Sequence, residues 1–197
     1  MSTKSREDPL PKSPMAWSPD GRSIIYSVAD RKTGRDLWLL SIAGDRKAVP
    51  LLNSPFNEAH PQISPDGKWI AYVSDRSGWN EIYVKSFPAG DSTWPVSVGG
   101  GVWPRWRRDG KEIFYLNPPR LMAVGATATG STFESGVPHE LFDSGVTLPP
   151  HVTTLNLYAV SPDGQRFLFP IPAPNNTGGI ASSSITVVLN WPAALKK

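Results

Sequence analysis

The sequence predicts an all-β protein, a β-propeller of about four four-stranded blades with the last blade incomplete, or part of a larger ring of the same kind. Three observations predict this fold. One turn motif occurs four times, a short apolar segment follows each copy, and turn residues are abundant. The chain has 21 prolines, 17 glycines and 8 tryptophans among 197 residues. Frequent turns between aromatic segments are typical of all-β proteins.

The repeated motif is a tight turn with the sequence Ser-Pro-Asp-Gly or a variant of it. The aligned segments AWSPDGRSIIYSV, QISPDGKWIAYVS, RWRRDGKEIFYLN and AVSPDGQRFLFPI place their glycines 46, 43 and 54 residues apart. Proline presets φ, aspartate hydrogen-bonds the nearby backbone, and glycine supplies a positive φ. Each copy therefore predicts a tight hairpin. The structural turn residues are Pro19, Asp20, Gly21, Pro65, Asp66, Gly67, Asp109, Gly110, Pro162, Asp163 and Gly164.

The segments between the turns have the lengths of propeller strands. Each turn is followed by a nearly continuous apolar run, such as WIAYVS, and strands of this kind are covered on both faces. A third and a fourth strand follow in the first three units, for example EIYVKSF and WPVSV. Four strands in about 40–45 residues match one propeller blade. After a polar leader at 1–13, the expected blades cover about 14–52, 60–98, 103–142 and 156–191.

These residues resemble a known family. The pattern P-x-apolar-S-P-D-G-K-x-I-A-Y…S-D-R-x-G-x-x-x-I-Y-V is similar to the WD-repeat-like propeller repeat of TolB-like proteins, over roughly residues 14–191. The tail ITVVLNWPAALKK resembles the end of propellers fused to bacterial membrane-bound Ser/Thr kinases. The resemblance implies a sensing or protein-docking module, which in such relatives is often periplasmic or extracytoplasmic.

Composition excludes several classes of function. The net charge of +3 is too small to indicate nucleic acid or an anionic membrane as partner. The absence of cysteine excludes disulfides, thiolate catalysis and cysteine-ligated zinc. No apolar run approaches the roughly 18 residues of a membrane span. The first residues, MSTKSREDPLPKSP, show no apolar core of a secretory signal, so the chain as written carries no export signal and the compartment stays open.

No motif predicts a catalytic residue, a metal site or a cofactor. The kinase signatures and the G-x-S-x-G pentapeptide of serine hydrolases do not occur. The three histidines, His60, His139 and His151, lack partners at metal-ligand spacing. The turn aspartates are explained by their own backbone bonds. Trp103 and Arg105 belong to an aromatic and basic stretch that could stack bases, but core and turn positions explain most of it.

The expected binding surface is the propeller end that carries the connections between blades and the turns between second and third strands. Loops converge there while the strands stay rigid. Aromatic and arginine residues in these loops are the natural anchors of a protein interface. The predicted binding residues are Phe56, His60, Arg76, Trp79, Trp103 and, on an innermost strand, Arg105.

The sequence thus favours a non-enzymatic module for protein–protein or ligand binding and sensing. The expected partner is another protein, and a homodimer through exposed blade faces is a second expectation, because apolar blade faces rarely remain wet. Two alternatives stay open: a propeller fragment that regulates a Ser/Thr kinase or peptidase, and a small propeller hydrolase or lyase with a channel active site. The aligned inner-strand positions, Ala16, Gln62, Arg105 and Ala159, offer no convergent acids or histidines for such an enzyme.

Overall fold

The computed structural model describes residues 10–146, 158–172 and 183–189. Within these residues the chain forms sixteen β-strands and no helix, and hence no helix able to cross a membrane. The predicted all-β class is confirmed. Most of the expected leader at 1–13 lies outside the described residues, as does His151.

The strands form four antiparallel sheets that follow one another along the chain. Blade 1 contains β1 (Lys12–Trp17), β2 (Ser23–Asp30), β3 (Gly34–Ser41) and β4 (Ala48–Leu52). Blade 2 contains β5 (Glu58–Ile63), β6 (Trp69–Ser74), β7 (Glu81–Ser86) and β8 (Thr93–Pro95). Blade 3 contains β9 (Val102–Trp106), β10 (Glu112–Asn117), β11 (Arg120–Thr129), β12 (Thr132–Ser135) and β13 (His139–Asp143). Blade 4 contains β14 (Ala159–Val160), β15 (Arg166–Pro172) and β16 (Ser183–Leu189).

The four repeated turns share one hydrogen-bonded geometry. Each turn glycine donates its N–H to the carbonyl three residues earlier at 2.9 Å, and its φ lies between 70° and 73°. The aspartate Oδ1 accepts from the N–H two residues later at 3.0–3.1 Å in every copy. In three copies the serine Oγ accepts from the N–H five residues later at 2.9 Å. These bonds engage the aspartate Oδ1 in every turn and close the hairpin.

The third turn replaces the serine with Arg107 and closes by ion pairs. Arg107 Nε lies 2.8 Å from Asp109 Oδ1, and Arg107 Nη1 lies 2.9 Å from Glu112 Oε2. The hydrogen bond from Arg107 is the main reason that the pKa of Asp109 falls to about 2. Arg107 therefore closes the third turn by ion pairs, whereas the serine hydroxyl closes the other three turns by hydrogen bonds.

Adjacent blades pack through the apolar faces of their sheets. On β6, Ile70 belongs to the core shared with blade 1, whereas the next residue, Ala71, belongs to the core shared with blade 3. Successive side chains of a strand point to opposite faces, so a strand covered on both sides must be apolar throughout. Between blades 3 and 4 the core is aromatic, with Tyr158 stacked on Phe169 at 5.4 Å between centroids.

Blade 3 contains a strand that the sequence analysis did not predict. Strand β11 continues to Thr129, beyond its pairing with β10, and forms a second hairpin with β12. Phe133, on β12, is 1% exposed and contacts Trp69, Trp94 and Trp106, with centroids 5.5, 6.3 and 6.1 Å away. The segment ATATGSTFES is rich in threonine and serine and carries a single large apolar residue, so its strand signal is weak.

The outer face of blade 1 is open in the described structure. Trp17 is 61% exposed, whereas Ile63 and Trp106, at the same position of blades 2 and 3, pack against the core shared with the preceding blade. Tyr26 and Trp38 lie beside each other on this face, with ring centroids 6.5 Å apart. Within the described residues, no other blade packs against this face of blade 1, and Trp17 is exposed on it.

We expect alanine substitutions at the turn glycines to distinguish the free-energy cost of backbone strain from that of steric crowding. Gly67 and Gly164 both have a φ of 72°. A Cβ on Gly67 would lie 4.0 Å from its nearest neighbour, Pro19, but a Cβ on Gly164 would lie 2.8 Å from Arg107 Cδ and 3.1 Å from Phe114 Cζ. Gly67→Ala should cost about 1–2 kcal/mol from the left-handed backbone alone. Gly164→Ala should cost more, because the Phe114 ring lies in the core.

Denaturant unfolding of the two variants beside the wild type measures the difference. Gly21→Ala is the matched control for open space, since nothing lies within 4 Å of its Cβ position and its φ is 70°. A wild-type unfolding midpoint in Gly67→Ala, or equal losses at positions 67 and 164, would contradict this geometry.

Candidate functional site

The interblade connections and the turns between second and third strands lie together at one end of the propeller, called here the loop face. Asn57, in the first connection, donates from its N–H and its Nδ2 to the Asp75 carboxylate at 2.8 and 2.7 Å. Its Oδ1 accepts from the Arg35 N–H at 3.1 Å. In the next connection, the Gly101 N–H donates to the Asn80 carbonyl at 2.8 Å. The described loop face comprises residues 31–33, 53–57, 75–80, 98–101, 117–119 and 143–146.

Two predicted anchors, Phe56 and Trp79, are exposed on this face, with 38% and 68% of their surface accessible. Arg76 lies in the same turn as Trp79 and is half-buried. Its guanidinium carbon lies 4.8 Å from the Tyr83 ring centroid, and its Nη2 donates to the Tyr72 hydroxyl at 3.1 Å. The two tyrosines hold this cation in place, so less side-chain entropy would be lost on binding.

His60 and Trp103, two further predicted binding residues, are buried beneath the surface. They are 7% and 1% exposed, and their rings meet edge to face with centroids 5.6 Å apart. Both lie seven residues before a turn glycine and have a φ of 51°, which is rare for residues other than glycine. The β5 pairing shifts between Ala59 and Gln62, so His60 lies in an irregular part of the inner strand. The two rings support the loops from beneath.

Arg105 lies at the inner edge of blades 3 and 4. Its guanidinium carbon is 5.7 Å from the Tyr158 ring centroid, and its Nη2 donates to the Tyr158 carbonyl at a long 3.5 Å. The Tyr158 hydroxyl in turn donates to the Trp103 carbonyl at 2.9 Å. Burial lowers the pKa of Arg105 below its ordinary value. Arg105, Trp103, Tyr158 and His60 thus form one connected group, called here the inner cluster.

Burial keeps His60 neutral at pH 7. Loss of hydration, with added repulsion from Arg35 and Arg105, lowers the pKa of His60 to about 4. Its Nδ1 is buried and has no hydrogen-bond partner among the described residues. The inner cluster therefore contains one permanent charge, on Arg105, beside a neutral imidazole.

Three acids beneath the loop face, Glu58, Asp36 and Glu81, are buried and were not predicted from the sequence. Glu58 is fully buried, and burial raises its pKa to about 7 although Ser54 donates a short hydrogen bond to its Oε1. Asp36 is 2% exposed, and burial raises its pKa as well. The repeat contained a signal for Asp36, since Glu81 occupies the same position at the start of the third strand of blade 2. Glu81 is hydrogen-bonded by Ser97 and by the Gly100 N–H.

The acids with raised pKa values are not open to solvent at the loop face. Glu58 has no exposed surface, so no substrate meets its carboxyl group in this conformation. Among the described residues no group of three histidine, aspartate or glutamate side chains is placed to hold a metal ion. A cleft of about 440 Å³ lies at the opposite end, between blades 2 and 3, beside Asp66 and Asp109. Both of these carboxylates already accept bonds within their own turns.

Comparison with known proteins places residues 8–178 in the family model described as the TolB β-propeller domain. The chain is 32% identical over 87 residues to a protein TolB homolog of Chlorobaculum tepidum, covering 44% of this chain and 20% of that protein. It is 29% identical over 154 residues to the uncharacterized peptidase YuxL of Bacillus subtilis, covering 78% of this chain and 20% of that protein. The chain therefore spans about a fifth of the length of these relatives.

A solved structure supports the fold independently of sequence. TolB from Acinetobacter baumannii superposes with a TM-score of 0.63 at 18% identity, and the match covers 92% of this chain and 41% of that chain. At this identity the likeness concerns the fold alone. The propeller class predicted from the repeated turns is confirmed.

Glu58 should make the stability of the protein depend on pH. Its pKa is higher in the fold, about 7, than its ordinary 4.5, so the folded state binds more protons between these values. The stability that Glu58 contributes to the folded state is fully present below about pH 4.5 and is lost as the pH rises through 7. At pH 8 the loss should reach roughly 3 kcal/mol. Glu58→Gln removes the titration and should stabilise the protein at pH 8 more than at pH 5.

Urea unfolding of wild type and Glu58→Gln at the two pH values tests this dependence. His60 titrates in the opposite sense, since its lowered pKa costs stability as the pH falls below 6.5, but it is present in both proteins and cancels in their difference. Glu134→Gln, at an exposed carboxylate, is the matched control. A difference between Glu58→Gln and wild type that does not change with pH would contradict the raised pKa.

Proposed function

We propose that this chain, which belongs to the TolB β-propeller domain family, is a non-enzymatic module that binds another protein through its loop face. One observation carries the proposal. Trp79, a large aromatic residue, is 68% exposed at the tip of a turn that hydrogen bonds tie to the neighbouring connections. An exposed tryptophan on a well-ordered loop is costly to leave in water and is typical of a protein interface.

The surroundings of Trp79 fit a protein partner. Phe56 adds a second exposed aromatic ring on the loop face, and Arg76 adds a cation that Tyr72 and Tyr83 hold in position. Aromatic residues and arginine contribute most of the free energy at protein interfaces. A rigid surface also loses little conformational entropy on binding. The combination supports recognition of a protein surface by preformed contacts.

Enzymatic activity has weaker support than binding. Some relatives are named peptidases, but this chain matches only about a fifth of the length of YuxL. Glu58 and Asp36, the acids whose pKa is raised by burial, lie within the fold and not at its surface. Regulation of an enzyme by the bound module is compatible with the same surface, and identification of the partner would distinguish it.

Trp79→Ala should weaken retention of the partner at least roughly tenfold, because hot-spot aromatics each contribute about 2 kcal/mol or more. Its melting temperature should equal that of the wild type, since the side chain is mostly exposed. The measurement is quantitative mass spectrometry of proteins that the immobilised chain retains from bacterial extract. Lys68→Ala and Arg22→Ala, beside the turns at the opposite end, are the matched controls. Loss of binding in these controls but not in Trp79→Ala would place the interface at the end of the propeller opposite the loop face and would contradict the proposal.

We also propose that the chain forms a homodimer through its open blade face. Trp17 is 61% exposed on that face, where the aligned residues Ile63 and Trp106 pack against a preceding blade. Blade 4 carries Leu168 at 39% exposure, on the strand whose Phe167 and Phe169 face blade 3. The blade 4 face of a second copy is therefore a matching cover for blade 1. A two-fold axis would repeat this contact and remove both open ends.

Light scattering at micromolar concentration tests the homodimer. The wild type should have twice the 21.5 kDa mass of one chain, and Trp17→Asp should have the mass of one chain. Trp79→Asp is the control, because it places the same charge on an equally exposed tryptophan of the loop face and should stay dimeric. A cooperatively melting wild type of 21.5 kDa would rule out this dimer.

A further inference from the structure

We propose that Arg105 forms a binding site for a single carboxylate group supplied by the partner protein, at the inner edge of blades 3 and 4. The inference rests on the proposed binding function and adds the chemistry that the site recognises. It follows from the environment of one side chain, which is half-buried, held on an aromatic ring and without a counter-ion in the part of the chain that the structure describes.

Arg105 lacks an acidic partner among residues 10–146, 158–172 and 183–189. Its polar contact there is the long bond to the Tyr158 carbonyl, and its charge interacts chiefly with the Tyr158 ring. The segments 147–157 and 173–182 contain no aspartate or glutamate, so neither can supply a carboxylate side chain. Within the described residues this cation is therefore uncompensated.

Arg107 is a nearby arginine with a structural role, and its surroundings differ from those of Arg105. It lies two residues further on and forms ion pairs with Asp109 and Glu112 at 2.8 and 2.9 Å. The structural arginine of this region thus has two acidic partners. At the Arg105 position the other blades carry Ala16, Gln62 and Ala159, so the fold itself needs no charge there.

A half-buried guanidinium without a counter-ion costs free energy in the free protein, because burial removes part of its hydration. An incoming carboxylate would recover that cost through charge-assisted hydrogen bonds to the guanidinium fork. The neighbouring His60 is neutral at pH 7 and adds no second charge. One positive charge matches the single negative charge of a carboxylate better than the double charge of a phosphate monoester.

The first test is a titration observed by nuclear magnetic resonance of the arginine Nε–Hε signals, with Arg105→Gln used to assign the signal. Sodium acetate is the probe, and sodium phosphate and sodium chloride at equal ionic strength are the comparisons. Acetate should shift the Arg105 signal saturably and leave the signals of Arg107 and exposed Arg108 in place. Equal shifts at all three arginines, or a shift with phosphate but not with acetate, would overturn the carboxylate site.

The second test separates the two sources of a carboxylate. Labelled hexaglutamate with both ends blocked presents side chains, and labelled hexaalanine with a free carboxyl end presents a terminus. At least one should bind in fluorescence anisotropy, and the one that binds identifies the source. Arg105→Gln should weaken that binding at least tenfold, whereas Arg108→Gln, which removes the same charge from an exposed turn, should stay within twofold. Binding that Arg105→Gln leaves unchanged would overturn the proposal.

The melting temperature of Arg105→Gln tests whether Arg105 has a purely structural role. Glutamine occupies the same position of blade 2, so Arg105→Gln should fold and should melt at the wild-type temperature or above it, since an uncompensated buried charge is removed. A clear fall in melting temperature would assign Arg105 to the fold and overturn the proposal. If neither peptide binds while a partner sensitive to Trp79→Ala is retained, the carboxylate site is wrong and the proposed function stands.

Discussion

The packing of one blade against the next is the interaction on which the rest of this structure depends. A single four-stranded sheet has two apolar faces here, and neither is stable in water unless another sheet covers it. The continuous apolar strands follow from this requirement, as do the aromatic cores between blades. The tight turns follow as well, because a strand covered on both sides can change direction only at the ends of the blade. The loop face is rigid for the same reason, since each of its connections is bonded to a turn of a packed blade.

The parts of the fold that were predictable are those fixed by local chemistry. The turn at Ser64–Gly67 requires a residue with a φ of about 70° and an aspartate that accepts a backbone hydrogen bond. The residue types that meet both requirements, glycine and aspartate, can be recognised in the sequence. The strand β12 was missed because its one large residue, Phe133, is stabilised by tryptophans of another blade. Propensity reports on a segment alone, whereas that hairpin exists through contacts distant in sequence.

The candidate site was predictable only in part, because exposure depends on three-dimensional packing. Trp79 and Trp103 both lie in loop-like sequence, yet one is exposed and the other lies beneath the loops against His60. The burial of Glu58 has no signature in its own neighbours, since it results from the meeting of two blades. Arg105 illustrates the opposite case: the alignment placed it on an innermost strand, but only the contacts show that its charge lacks an acid among the described residues.

If the loop face of this propeller binds its partner, a bound partner should shield the loop face from solvent. Amide hydrogen exchange of the chain, alone and saturated with the partner it retains, measures that shielding. Exchange should be slower in the bound state at 53–57 and 75–80 and unchanged in the repeated turns at 18–21 and 64–67. Protection confined to those turns, or spread evenly over all blades, would show that the loop face is not the binding surface.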